Sequence, residues 1–171
     1  MQNVLYILEE LNDDDIDWMV ACGCTEEIST GALLIQQGEE VDALYFVLSG
    51  TFNVSVSTGE GQDKEIAKLS TGDVVGEMSF VDARPPSANV TATSNSLVLS
   101  ISRQELTAKL QLDVGFSSRF HRALVLLLSS RLRLMMGQLG DDSPRFETAI
   151  RDDLSIAKVR FDWLLRRLRG G

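Results

Sequence analysis

Apolar and polar positions repeat with two different periods along the chain, and the changes between them mark its parts. Residues 3–22 alternate apolar and acidic positions at helical spacing, which predicts two short helices. Within LNDDDIDWM, Asn12 followed by Asp15 has the form of a helix cap, with the Asn12 side chain accepting from a freed backbone N–H. From residue 25 to 102 the pattern changes to short runs rich in β-branched and aromatic residues: TEEIS, ALLIQ, ALYFVLSG, TFNVSVS, KEIAKL, SANVTAT and SLVLSIS. Glycines at tight corners separate them, and STGEGQD at 57–63 reads as a polar hairpin tip. Many short strands with regular corners imply a barrel or a jelly-roll-like sheet.

Helical spacing returns after residue 102. SRQELTAKL predicts a short helix started by Ser102, with Glu105 at the reciprocal capping position. A long helix is predicted over 113–139, its apolar positions Phe116, Phe120, Leu124, Leu127, Leu128, Met135 and Leu139 stepping by threes and fours. Leu126, Leu132 and Met136 widen that stripe beyond one contact surface, which implies a homodimer through this helix. Arg119, Arg122, Arg131 and Arg133 occupy its other faces, and a solvated face is the expectation for Arg131 and Arg133. Gly140 and Pro144 end the helix. A last helix over about 147–168 sets Ile156, Val159, Trp163 and Leu164 on one side and Arg160 and Arg167 on another, and is expected to pack Trp163 and Leu164 on the sheet. The organisation is therefore a domain over 1–140 and a basic amphipathic helix over 141–171.

Composition narrows the function classes. The 171 residues are 44% hydrophobic and 24% charged, which is globular composition. The net charge is −9, but residues 144–171 alone carry +3. An acidic body argues against binding nucleic acid through the whole surface, and the basic tail suits docking on the protein itself, on a partner or on an anionic surface. With two cysteines and one histidine, His121, neither a four-ligand zinc centre nor a cupin-type metal site can be assembled, so no metal is expected. His121 lies in a helical pattern far from any nucleophile motif, and no catalytic residues are expected. Cys22 and Cys24 read as reduced thiols of a cytoplasmic protein. The longest apolar run, residues 123–128, is too short to span a bilayer.

The stretch GEMSFVDARPPSANV, residues 76–90, carries the candidate chemistry. Gly76 lets a backbone approach a ligand closely, and the first N–H groups of a turn over Glu77–Phe80, including Met78 and Ser79, point outward together as an anion site. A carboxylate there would repel a phosphate unless it accepts from another group, and a sugar hydroxyl supplies that donor. Arg84 and Ser87 are the nearby donors. A nucleotide offers phosphate and hydroxyl about a sugar's width apart.

These residues, with the runs GALLIQQGEEVDALYFVLSGTFNV and STGDVVGEMSF, resemble the cyclic-nucleotide-binding domain of the catabolite activator and kinase regulatory-subunit families over roughly residues 5–140. The resemblance implies an α+β fold: a small antiparallel β-roll flanked by N-terminal helices, a short helix and a long C-terminal helix that often dimerises. It implies a phosphate cassette at Gly76, Glu77, Met78 and Ser79, with Glu77 on the ribose 2′-hydroxyl and Ser87 and Ala88 against the phosphate. Asn89 completes the candidate set. The family's phosphate-neutralising arginine falls where this chain has Pro86. Removing one partner of a buried charge pair costs about 3–5 kcal/mol, or two to three orders of magnitude in affinity.

Three readings follow. A cyclic dinucleotide such as cyclic di-GMP, held by Arg84 with Arg119 and Arg122, is the favoured one, since arginines suit its phosphates and guanines. Weak cyclic AMP or cyclic GMP binding through Arg84 is the second. The third is a degenerate cassette in a protein-interaction module. About 30 residues follow Gly140, too few for a winged-helix DNA reader, so signalling is expected through a separate effector such as a transcription factor, without sequence-specific DNA binding or membrane insertion.

Overall fold

A computed structural model describes residues 4–59, 63–139 and 155–169. Two helices open the chain, α1 (Val4–Glu10) and α2 (Asp13–Cys22). The expected cap is present as a reciprocal box. The Asp15 N–H donates to Asn12 Oδ1 at 2.9 Å, and the Asn12 N–H donates to Asp15 Oδ2 at 3.0 Å. Eight strands follow: β1 (Cys24–Ile28), β2 (Leu33–Ile35), β3 (Ala43–Ser49), β4 (Thr51–Ser57), β5 (Asp63–Ser70), β6 (Val74–Val75), β7 (Asn89–Ala92) and β8 (Ser96–Ser102). The helix α3 (Glu77–Asp82) lies between β6 and β7, and α4 (Arg103–Leu112), α5 (Val114–Leu139) and α6 (Ser155–Arg169) follow among the described residues. The start expected for the last helix, residues 147–154, lies outside the described residues.

The strands form two antiparallel four-stranded sheets, in the orders β1-β8-β3-β6 and β2-β7-β4-β5. Alternation along each strand turns one set of side chains inward. Phe52, Leu69 and Ala92 face one another in register across β5-β4-β7, and all three are buried with Val47, Val75 and Val98 in the core between the sheets. A second, larger core lies where the helices cover the β1-β8-β3-β6 sheet. Leu44, Phe46 and Leu99 meet Ile7, Leu8 and Ile16 of the N-terminal helices, and Phe116 and Phe120 of α5 stack with ring centres 5.5 Å apart. The expected α+β β-roll with flanking helices is what the chain adopts.

Three local expectations are corrected. Ser102 caps α4 by accepting from the Glu105 N–H at 3.1 Å, but the neighbouring Glu105 carboxylate does not complete the reciprocal half of the box. Burial and that neighbouring charge push Cys22 up to about 11, which leaves it a protonated, unreactive thiol at neutral pH. The last helix packs on α1 and α2, not on the sheet. Its Ala157, Phe161 and Leu164 join the larger core, while Trp163 stays 36% exposed with the Arg167 guanidinium 5.0 Å over its ring. Arg131, expected on a solvated face, turns into the protein, where it pairs with the buried Glu77 carboxylate.

Candidate ligand-binding cassette

The candidate cassette is the corner from β6 through α3 to β7. Gly76 has φ +93°, and a Cβ built there would lie 2.8 Å from the Ala43 carbonyl oxygen of β3. Glycine is therefore required both by the left-handed backbone and by the close approach of a neighbouring strand. The turn that follows makes its first internal bond from the Phe80 N–H to the Gly76 oxygen, 3.1 Å, so the N–H groups of Glu77, Met78 and Ser79 precede it. Phe80 anchors α3 to the long helix, meeting the Phe120 ring edge-on at 6.0 Å.

Glu77 is 2% exposed and Ser79 5%, whereas Met78 turns outward at 58%. A carboxylate so deep needs a cation, and α5 supplies it. Arg131 donates through Nη1 to Glu77 Oε1 and through Nη2 to the Val74 carbonyl of β6. One guanidinium thus ties the long helix to both ends of the Gly76 corner. The expected role of Glu77 as a hydroxyl acceptor keeps its second oxygen and its position, but the carboxylate is already charge-neutralised from within.

The remaining candidates fall into two groups. At the cassette, Arg84 follows the left-handed Ala83 (φ +57°), and its side chain is 83% exposed, with Asp82 3.9 Å away as its ion contact. Two residues on, the Pro86 carbonyl accepts from the Gly38 N–H at 2.9 Å, which fixes the loop where the family's arginine would stand. Ser87 is exposed and Ala88 half-buried beside it. Asn89 is a brace: its Oδ1 accepts from the Gln37 N–H at 2.8 Å and its Nδ2 donates to Ser57 Oγ at 3.3 Å, joining the β2–β3 loop to the end of β4.

Arg119 and Arg122 are not brought to the cassette. Arg119 donates bidentately to the 2%-exposed Asp15, Nε to Oδ2 at 2.7 Å and Nη2 to Oδ1 at 2.9 Å, and this pairing holds its own pKa above the usual arginine value. Arg122 pairs with Glu10 at 2.8 Å. Both guanidiniums fasten α5 to the N-terminal helices. A cleft of about 260 Å³ beside the β2–β3 loop is lined by Glu39, Glu40 and Asp42 and would repel an anion. Among the described residues no group of three His, Cys, Asp or Glu side chains could hold a metal, and no helix is long and apolar enough to cross a membrane.

Arg131 is the residue of this corner that sequence reasoning placed on a solvated face. The signal was available: residues 120, 124, 127 and 131 form one stripe at steps of four, three and four, and the first three are buried. An arginine continuing a buried stripe implies a buried acid opposite it.

The family model described as "Cyclic nucleotide-binding domain" matches residues 25–113, more than half of the chain, and the chain belongs to that family. It is similar to the Pycsar effector protein PaPycTIR of Pseudomonas aeruginosa, 38% identical over 92 residues, covering 53% of this chain and 28% of that protein. It is also similar to the mouse voltage-gated delayed rectifier potassium channel KCNH5, 32% identical over 148 residues, covering 84% of this chain and 14% of the channel. The chain therefore spans well under a third of these curated relatives. Among solved structures, the Thermus thermophilus catabolite activator protein superposes with a TM-score of 0.67 at 25% identity, covering 78% of this chain and 61% of that one.

Proposed function

We propose that this chain is a non-enzymatic, cytoplasmic receptor module that binds a cyclic nucleotide at the Gly76–Ser79 corner and reports through α5 to a separate effector, such as a transcription factor. The observation that carries this reading is the buried Glu77–Arg131 pair. A ribose hydroxyl that donates to Glu77 competes for the carboxylate the long helix depends on, so occupancy of the cassette and the position of α5 are linked. The N–H groups at the start of α3 and the Ser87 hydroxyl are the groups that would face the phosphate.

A cyclic mononucleotide fits this set better than cyclic di-GMP. The second phosphate and the guanines of the dinucleotide would need further arginines, and Arg119 and Arg122 are held by Asp15 and Glu10. With Arg84 turned to solvent, Arg84→Ala is expected to leave affinity within about threefold, while Glu77→Gln, which weakens a charge-assisted acceptor, is expected to lower it about tenfold or more. A thermal-shift panel with cyclic AMP, cyclic GMP, cyclic di-GMP and cyclic di-AMP, followed by calorimetry, checks this. A ligand at 100 times its Kd stabilises by about 2.7 kcal/mol, a rise of about 5–10 °C in a domain of this size. A flat panel favours the second reading, a ligand-independent interaction module, which the exposed Arg84 and the already neutralised Glu77 support.

The element that fits a second copy of the chain is α5. Its outward positions Val114, Ser118, His121, Val125, Leu128, Leu132 and Met135 alternate steps of four and three, the 3.5-residue repeat of a two-stranded seam. Val114 is 80% exposed and Val125 66%. A second copy of the chain is the partner this repeat fits. Leu132→Glu is expected to convert a dimer to a monomer in sedimentation equilibrium without lowering the melting temperature of the monomer.

A further inference from the structure

The last helix lies far along the chain from the cassette, yet polar contacts carried by α5 and α1 lead from one to the other. Arg131 holds Glu77, and its neighbour Ser130 donates to the Tyr6 hydroxyl of α1 at 3.0 Å. One turn further on, consecutive acids of α1 turn to opposite sides: Glu10 pairs with Arg122 of α5, and Glu9 accepts from the Ala157 N–H of α6 at 3.2 Å. Backbone carbonyls at and just past the end of α1 find their donor on α6. Arg160 Nη1 donates to the oxygens of Leu8 and Leu11 at 2.8 and 2.7 Å, while its Nε reaches Asp13 at 3.1 Å. Unpaired carbonyls at a helix C-terminus favour a cation, so Arg160 fits this position by both charge and geometry. Arg167 to Asp17, 2.7 Å, closes the far end. The helix α1, seven residues long, is thus clamped between α5 on one side and α6 on the other.

We propose that α6 is a latch whose closure is set at the cassette. When Arg131 leaves Glu77, α5 loses its polar tie to β6 and α3 and keeps only the Phe80–Phe120 ring contact to α3. Its contacts with α1 through Ser130 and Arg122 then loosen, and α1 no longer presents the carbonyl cage that Arg160 requires. Release uncovers the buried stripe Ala157, Phe161 and Leu164 on α6 together with the part of α1 and α2 it covers. The latch rests on the cassette reading only for what opens it: a ligand hydroxyl competing for Glu77. The same coupling must run in both directions, because linkage between two equilibria is reciprocal.

Hydrogen–deuterium exchange on the full chain tests this without any ligand. Glu77→Gln and Arg131→Ala are expected to raise amide exchange across residues 155–169 at least about fivefold, and Arg160→Ala to raise exchange across residues 74–82 by a similar factor. Glu77→Gln is close to isosteric and carries the test if Arg131→Ala loses helix content. Wild-type exchange in α6 of the Glu77 variant, or an Arg160 variant that perturbs only its own surroundings, overturns the latch. A flat ligand panel with α6 still opened by Glu77→Gln removes the ligand and leaves the latch. A ligand that binds while α6 stays protected in Glu77→Gln removes the latch alone.

Discussion

Asp15→Ala is expected to lower the melting temperature by about 10 °C, the largest loss from any single polar side chain in the described structure. Two separate interactions end on that carboxylate. It accepts from the Asn12 N–H as half of the box that starts α2, and it holds Arg119 of α5 through two bonds. At 2% exposure, the carboxylate has exchanged water for these donors. Removing one partner of a buried pair costs about 3–5 kcal/mol, and loss of a cap about 1 kcal/mol. For a chain of this length each kcal/mol moves the melting temperature by about 2–4 °C. Asp15→Asn keeps an acceptor for the Asn12 N–H but gives up the charge, so it is expected to fall between wild type and alanine. Thermal melts followed by circular dichroism measure all three. An alanine variant within 2 °C of wild type would show that Arg119 and the start of α2 find other partners.

Gly76→Ala is expected to disable the cassette and destabilise the β-roll together. The backbone there is left-handed, which costs an L-residue about 1–2 kcal/mol, and the added methyl would meet the Ala43 oxygen at 2.8 Å. That oxygen belongs to β3, which is paired on both sides, so it cannot move aside cheaply. Relief must come from the corner itself, shifting Glu77 away from Arg131 and the α3 N–H groups out of line. A melting temperature lower by about 5 °C or more is expected, with loss of any response to the nucleotide panel. The same change at Gly38 (φ +81°), whose Cβ would meet nothing within 4 Å, separates backbone strain from collision and is expected to cost less.

Much of this architecture was legible because local rules and the fold agree. The cap at Asn12 and Asp15, the strand runs between their corners, and the apolar steps Phe116, Phe120, Leu124 and Leu127 all formed the elements their spacing predicted. The left-handed corner at Gly76 and the turn after it were legible for the same reason: glycine, acid and a short apolar turn fall together in sequence. What the pattern could not supply was the choice of partner for each long cation. Arg119 meets an acid 104 residues away and Arg131 one 54 residues away. A guanidinium at the end of a flexible stem is compatible with several acids until the tertiary packing selects one. The apolar side of α6 likewise announced that it would be covered without naming the surface, and the carbonyls at the end of α1 that decide it carry no signature in side-chain chemistry.

The anchorage of Arg131 divides α5 unequally. Phe116 to Leu127 are bedded in the protein, whereas Leu132, Met135 and Met136 beyond it are each about 60% exposed. The guanidinium therefore stands where a fulcrum would, with eight residues projecting past it to Leu139. At 1.5 Å per residue that projection is about 12 Å long, so a tilt of about 10° at the fulcrum sweeps its tip through about 2 Å. On the proposed sensor reading, exchange of one hydrogen-bond partner inside the roll would be geared up into a displacement that a neighbouring molecule can feel.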